Sequence, residues 1–397
     1  LLGAIFGKLI EISGFAQTIV NVIIRVIGKQ RAIPVIVLIC AVLTYGGVSL
    51  FVVVFAVYPV AAEMFRQANI PKRLIPVSIA LGAFTFSMDG LPGSPQIQNI
   101  IPTTFFNTTT WAAPILGTIG AILIATAGLY YIERQRKKSF KANEGYGNHT
   151  INEPEASIIH NPPHALLAFT PLFLVGIVNY ALTYTIPSLY SDIFIFQLPG
   201  MKEAMEVNVT KIVAIWAVLG ALGSGIIFIL IFSFKTICAE FTDKSKQAIS
   251  GAILAAMNTG TEYGFGAVIA TLPGFLIISK SLQGINNPLL NEAITINVLA
   301  GITGSGSGGL SIALGAMANQ FIEMAQQANI PNEVLHRVAA MAAGGMDTLP
   351  HNGAIITLLA VTGLTHRQAY KDIFGITCIK FAMVFVVIGI YYMTGWV

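Results

Sequence analysis

An all-α polytopic membrane protein, built as an inverted repeat with two re-entrant hairpins and two broken transmembrane helices, is the fold this sequence predicts. Three observations carry the prediction. Hydrophobic residues make up 55% of the 397 positions and charged residues only 10%, against roughly 25% charged in a soluble domain. Three anchors recur in the same order: GGVS at 46–49 and GGLS at 308–311, EMFRQANIP at 63–71 and EMAQQANIP at 323–331, MDGLPGSPQIQN at 88–99 and MDTLPHNG at 346–353. The spacings nearly agree, with 21 residues from Gly46 to Gln67 and from Gln67 to Met88, against 19 for both intervals in the second copy. Ordered anchors at matched spacing mark an internal repeat. Each copy also interrupts apolar sequence twice, and lipid tolerates such backbone only where protein buries it or it lines a cavity.

The elements follow in order. Residues 1–27 are apolar with Lys8 and Glu11 inside, a pair one helical turn apart. Residues 32–65 exceed the roughly 20 residues of a single span and break at 45–49, which predicts a hairpin that enters and leaves on one side. Residues 75–106 predict a crossing broken at 88–95, and 112–132 an ordinary span closed by ERQRKKSFK. The polar, proline-bearing stretch 133–163 reads as a cytoplasmic linker. It separates a first repeat at 1–132, expected to be truncated at its N-terminus, from a second at 164–397. Residues 165–186 and 212–234 predict two more spans. A further apolar helix, 248–279, is interrupted by NTGTEYG at 258–264, where Glu262 is a weak candidate. The second hairpin falls at 293–325 with its tip at GSGSGG (304–309), the second broken helix at 334–364, and the last span at 374–397.

With the 133–163 linker cytoplasmic, most of the 22 Lys and Arg fall on that side. Only Lys202, Lys211, Lys280 and Arg337 are then placed outside, with Lys8 and Lys380 left inside apolar runs, as the positive-inside rule favours. Five crossings separate Gly46 from Gly308 in this reading; the number is odd, so the copies face opposite ways. The net charge of +4 collects at the ends of apolar runs and forms no basic face for nucleic acid. Cys40, Cys238 and Cys378 are too scattered to imply a disulfide framework or a metal site, and no motif implies a cofactor.

Interrupted segments at matching places in two halves point to a transporter's binding site. Asp89 and Asp347 sit at those breaks and are the candidate ion-coupling groups, because a charge inside a spanning segment is costly and therefore functional by default. Sequestered, such a carboxylate can take up a proton; beside a cation it stays charged. Either can instead simply cap the half-helix that follows it. Ser94, Gln96 and Asn99 in one copy, and Thr348, His351 and Asn352 in the other, offer polar groups where a half-helix begins, and helix N-termini attract anions. Gly46, Gly47 and Ser49, with Ser305, Ser307 and Ser311, do the same at the hairpin tips. GSGSGG lacks the Lys-Ser/Thr of a phosphate-binding loop.

GAIFGKLIEISGFAQTI at 3–19, GGVS, PGSPQIQNIIPT at 92–103 and LPHNGAIITLLAVTGLTH at 349–366 resemble the gluconate permease (GntP) family of the ion transporter superfamily. The resemblance covers the whole chain, with an N-terminal piece absent, and is nearer the hydroxybutyrate-permease branch, since LPGSPQ stands where gluconate-type members are richer in His and Pro. It implies a proton-coupled symporter of a small hydroxy-carboxylate, a homodimer in the bacterial inner membrane, and tips and breaks at 46–49, 89–99, 304–311 and 347–352. The expected function is thus secondary transport of a small organic anion with H+, not an enzymatic activity. Sodium coupling, a channel, and an intramembrane aspartyl protease using Asp89 and Asp347 as a dyad are the rivals.

Overall fold

Glycine and proline divide the apolar sequence into helices, many of them shorter than a bilayer is thick. The computed structural model describes residues 2–28, 31–48, 50–153, 163–190, 193–197, 205–282 and 284–397. In it α1 (Leu2–Ile12) and α2 (Phe15–Ile27) meet at a bend of 70°, where Gly14 takes a φ of 76°. The first hairpin follows as α3 (Ala32–Tyr45) and α4 (Leu50–Gln67). The first broken helix is α5 (Leu74–Ala83), the single turn α6 (Phe86–Asp89) and α7 (Ile97–Phe106). Then come the long α8 (Pro114–Lys141) and α9 (Ala165–Leu189), a two-stranded antiparallel ribbon of β1 (Ile193–Phe196) and β2 (Met205–Asn208), α10 (Val209–Ala270) and α11 (Pro273–Leu282). The second hairpin is α12 (Pro288–Thr303) and α13 (Gly306–Gln327). The second broken helix is α14 (Asn332–Gly345), a 3-10 turn at Met346–Thr348 and α15 (Gly353–Thr362), and α16 (His366–Thr394) closes the chain.

Among the described residues, α8, α9, the Ile212–Cys238 part of α10 and α16 are each long and apolar enough to span a bilayer, and the bent pair α1–α2 makes a fifth span if taken as one. The sequence expects eight crossings, counting besides these the two broken helices and the 248–279 segment, none of which is on its own among the helices that pass by length and composition. Two local expectations change. The basic ERQRKKSFK run does not close the span's helix but prolongs α8 to Lys141, since Lys and Arg are good helix formers. NTGTEYG is helical throughout; the backbone of α10 leaves helical geometry at Ser233 instead. Each glycine costs a helix only about 1 kcal/mol, which a spanning helix absorbs.

The repeated QANIP anchors fold alike. Asn69 and Asn329 take left-handed φ values of 50° and 53°. Ile70 and Ile330 each donate 2.8 Å back to the carbonyl five residues earlier, Phe65 and Ala325. This is the Schellman closure, in which Asn stands at the left-handed position usually held by glycine. Exchanging the copies also maps the packing onto itself. The hairpin arm α3 packs on α5 as α12 packs on α14, and the other arm α4 packs on α15 as α13 packs on α7, so each hairpin leans on the opposite copy's broken helix. The arms of the second hairpin touch backbone to backbone, since a Cβ on Gly309 would lie 2.2 Å from the Ala300 Cα.

On the basic side of the molecule, residues 144–153 form a strap across both copies. Asn69 Oδ1 accepts from the Tyr146 N–H at 3.0 Å, Tyr58 Oη donates 2.8 Å to the Asn152 carbonyl, and Asn152 Nδ2 donates 2.8 Å to the Ala360 carbonyl at the end of α15. Glu153 takes both Lys72 and Arg66 at 2.6 Å. Its burial alone would raise the carboxyl, but the hydrogen bonds from these two cations outweigh it and leave Glu153 below its usual range. Arg73 extends the clamp, pairing with Glu144 and with Asp372 of α16.

Candidate functional site at the two helix breaks

The first break is made by side chains that answer the carbonyls the helix abandons. Thr85 Oγ1 donates 2.6 Å to the Leu81 carbonyl and Ser87 Oγ 2.6 Å to that of Gly82, satisfying the end of α5 in place of the missing turn. The Pro92 and Pro95 rings then prevent helix until Ile97. Gln96 reaches back to the tip of the first hairpin, its Nε2 donating to the carbonyls of Thr44 at 2.7 Å and Val48 at 3.2 Å, while Tyr45 Oη donates 2.8 Å to the Pro92 carbonyl. Hairpin tip and break are therefore one bonded unit.

Asn99 holds that unit to the second copy. Its Nδ2 donates to the carbonyls of Ser94 (2.9 Å) and Thr110 (2.8 Å), which leaves Oδ1 as acceptor. That oxygen lies 3.0 Å from Arg337 Nη1 and 3.1 Å from His336 Nε2, both on α14. His336 therefore carries its proton on Nε2 and accepts from the Thr108 hydroxyl at Nδ1, 2.7 Å away. Arg337 is fully buried. It donates from Nη1 to the Asp89 carbonyl at 2.7 Å and from Nε and Nη2 to the Ala112 carbonyl at 3.2 and 2.7 Å. One guanidinium thus satisfies the end of α6, the start of α7 and the turn before α8.

At the second break, Asp347 does what Gln96 does at the first. Its Oδ1 accepts from the Gly306 N–H at the tip of the second hairpin (2.9 Å) and from Asn352 Nδ2 (3.3 Å), and its Oδ2 accepts from Gln98 Nε2 of α7 at 2.8 Å. Gln98 therefore ties the two breaks together across 249 residues of sequence. Asn352 caps α15 by accepting from the Ala354 N–H at 2.7 Å, and Ser305 caps α13 by accepting from Gly308 at 3.1 Å. Thr348 shares a 2.7 Å hydrogen bond with Thr377 of α16. The N-termini of α7 and α15 begin at these breaks and that of α13 at the second hairpin tip.

Asp89 is fully buried and forms an ion pair with Lys380 of α16, itself fully buried. Its second oxygen, Oδ2, has no hydrogen-bond partner among the described residues and rests against Gly344, where a Cβ would come within 1.7 Å. Only glycine at 344 leaves room for this carboxylate.

No protein-family model matches the chain. It is, however, 54% identical over 404 residues to the "Uncharacterized transporter YxjC" of Bacillus subtilis (strain 168), an alignment that spans 100% of this chain and 86% of that protein. The chain belongs to the YxjC transporter family. Its fold matches that of the Alcanivorax borkumensis YdaH transporter, whose crystal structure was described as having an unusual topology, with a TM-score of 0.53 at 14% identity over 100% of this chain and 85% of that one. At that identity the likeness speaks for the fold alone. The chain is accordingly a multi-pass membrane transporter rather than an enzyme.

For a YxjC-family transporter the residues singled out from sequence divide into three groups. Gln96, Asn99, Ser305, Asp347 and Asn352 lie in the bonded network at the breaks, with Ser94 donating 3.0 Å to the Ser87 carbonyl beside it. His351 is exposed, its Nε2 lying 3.0 Å from the Gly301 carbonyl over the second tip, and Ser311 turns back to the Ser307 carbonyl at 2.9 Å. Gly46 and Gly47 are buried against Leu172 and Leu222, so these two pack helices. Ser49 and the Glu262 side chain lie outside the described residues. Sequence reading missed Gln98, His336 and Arg337, and left Lys380 without a role. It also placed Arg337 at the outer surface, whereas the guanidinium is fully enclosed. The signal that could have found Lys380 was its charge in the middle of an apolar run. The aspartyl-dyad reading is set aside, because Asp89 is committed to Lys380 and Asp347 to Gly306 and Gln98, and the relatives are named transporters.

Proposed function

We propose that this transporter is a proton-coupled symporter of a small hydroxy-carboxylate, of 3-hydroxybutyrate or gluconate type, as the resemblance to the gluconate permease family implies. The observation that carries the reading is the Gln98–Asp347 bond, which joins the two breaks where the N-termini of α7 and α15 begin. A carboxylate there meets the positive ends of helix dipoles. The substrate lies between the hairpin tips in this reading, with Asp89 and Asp347 as the coupling groups and the other break and tip residues as its polar surroundings. The remaining assignments belong to the same proposal: repeats at 1–132 and 164–397 joined by a cytoplasmic linker at 133–163, a homodimer, and residence in the bacterial inner membrane.

Sodium coupling is the second reading, favoured by Gln98 Oε1. This buried oxygen has no hydrogen-bond partner among the described residues and belongs to the side chain that bonds Asp347, and oxygens in unwound helices suit Na+ as well.

Counterflow of labelled 3-hydroxybutyrate in proteoliposomes, with no ion gradient, tests the substrate class. Exchange is expected, inhibited more by lactate and gluconate than by citrate. Absence of exchange with all four acids would overturn the hydroxy-carboxylate assignment.

A further inference from the structure

Glu292 lies within α12, the inner arm of the second hairpin, and is fully buried. Neither of its carboxylate oxygens has a hydrogen-bond partner among the described residues. The charged and titratable groups described on the elements packed against α12 are engaged elsewhere or point away. On α16, Lys380 pairs with Asp89, Tyr391 and Tyr392 make no bond to the carboxylate, and residues 366–372 lie at the far end. On α14, Arg337 is taken by the carbonyls of Asp89 and Ala112, His336 by Thr108 and Asn99, and Glu333 is exposed. In the 3-10 turn, Asp347 accepts from Gly306 and Gln98; on α13, Glu323 is exposed; on α11, the Lys280 side chain lies outside the described residues.

An ionised carboxylate without counter-charge or donor is not sustained in such surroundings, and the group neutralises instead. A second unpartnered acceptor lies further along the same arm. Asn297 donates 2.7 Å to the Ala293 carbonyl, but its Oδ1 is buried and unbonded. Five residues, about 7.5 Å of helix rise, separate it from Glu292. This oxygen faces Gly345, against which the Lys380 side chain also packs. Asn297 thus lies beside the Lys380–Asp89 pair, about one and a half turns along the arm from Glu292.

Resting on the proton-coupled reading above, we propose that Glu292 is a proton-binding site of the transport cycle, protonated in this conformation and deprotonated when movement of the second hairpin admits water. The step is a proton transfer only. A proton from water adds to one carboxylate oxygen to give the neutral acid, returns to water on release, and no other bond changes.

Two measurements on the full chain in proteoliposomes test this, comparing wild type with Glu292→Gln. The first needs no substrate: infrared difference spectra across a pH titration should show a protonated-carboxyl C=O band that bleaches reversibly as pH rises and is missing in Glu292→Gln. The second is transport. Glu292→Gln should keep 3-hydroxybutyrate counterflow near the wild-type rate while uphill accumulation and substrate-driven proton uptake fall roughly tenfold or more; Glu292→Asp should restore part of the coupling. A band that is identical in both proteins or never titrates overturns the proposal, as does wild-type accumulation by Glu292→Gln. If the wild type exchanges none of the acids, the substrate reading fails, and the infrared titration alone then decides for or against the proton site.

Discussion

Replacing Lys380 with methionine is expected to destabilise the protein by about 3–5 kcal/mol, the range for stripping one partner from a buried ion pair. Asp89 would remain fully buried, with its Oδ2 already unpartnered and enclosed by Gly344. Gly344 leaves its Oδ2 no space to turn toward another donor. Arg337 offers no rescue, since its nitrogens are spent on the Asp89 and Ala112 carbonyls and Asn99 Oδ1. Asp89→Asn alone should be damaging for the mirrored reason, leaving the Lys380 ammonium without its anion. The double variant Asp89→Asn, Lys380→Met removes both charges and should recover most of the lost stability, because well-packed neutral replacements of buried pairs are often neutral or stabilising. Thermal unfolding of the detergent-purified variants measures this. Equal unfolding temperatures for Lys380→Met and wild type would show that the pair does not hold the fold, and a double variant no better than the singles would locate the damage outside the pair.

Arg337→Lys should be nearly as severe, although it conserves charge. The guanidinium donates to acceptors from three segments at once, the Asp89 carbonyl at 2.7 Å, Asn99 Oδ1 at 3.0 Å and the Ala112 carbonyl at 2.7 Å. An ammonium on a shorter stem cannot reproduce that planar fork. Each buried acceptor left unmade costs about 1–3 kcal/mol, so a loss of roughly 3 kcal/mol is expected if two are abandoned. Arg136→Lys, at the surface end of α8, is the control and should stay within about 0.5 kcal/mol of wild type. Unfolding temperatures for the two variants decide the point. Matching values would mean that the three segments are held by packing and not by Arg337.

The sequence made the repeat legible because its anchors are local. QANIP carries its own helix ending in Asn69 and Asn329, and Leu-Pro at 91–92 and 349–350 falls in both breaks. The placement of Asp347, Asn352 and Ser305 at the second break and tip followed from the same anchors. Illegible were contacts between residues far apart in the chain. Nothing in the neighbourhood of Asp89 announces Lys380, 291 positions away, and nothing near Asn99 announces Arg337, 238 away. Counting charges sent Arg337 outward because that rule treats an Arg near a hairpin turn as a topology signal, whereas packing of α14 against α7 turns it inward. Glu292 escaped notice for a related reason: in NPLLNEAIT it resembles an acidic residue of a first helical turn, and only burial separates the two.

That the chain performs gradient-driven transport is tested most directly by uphill accumulation. Full-length protein in proteoliposomes, given an inward proton gradient without sodium, is predicted to concentrate labelled 3-hydroxybutyrate inside above the outside level, and to lose that excess when a protonophore is added. Filling only to equilibrium with or without the gradient, or accumulation that appears only when sodium is supplied, would contradict proton-coupled symport.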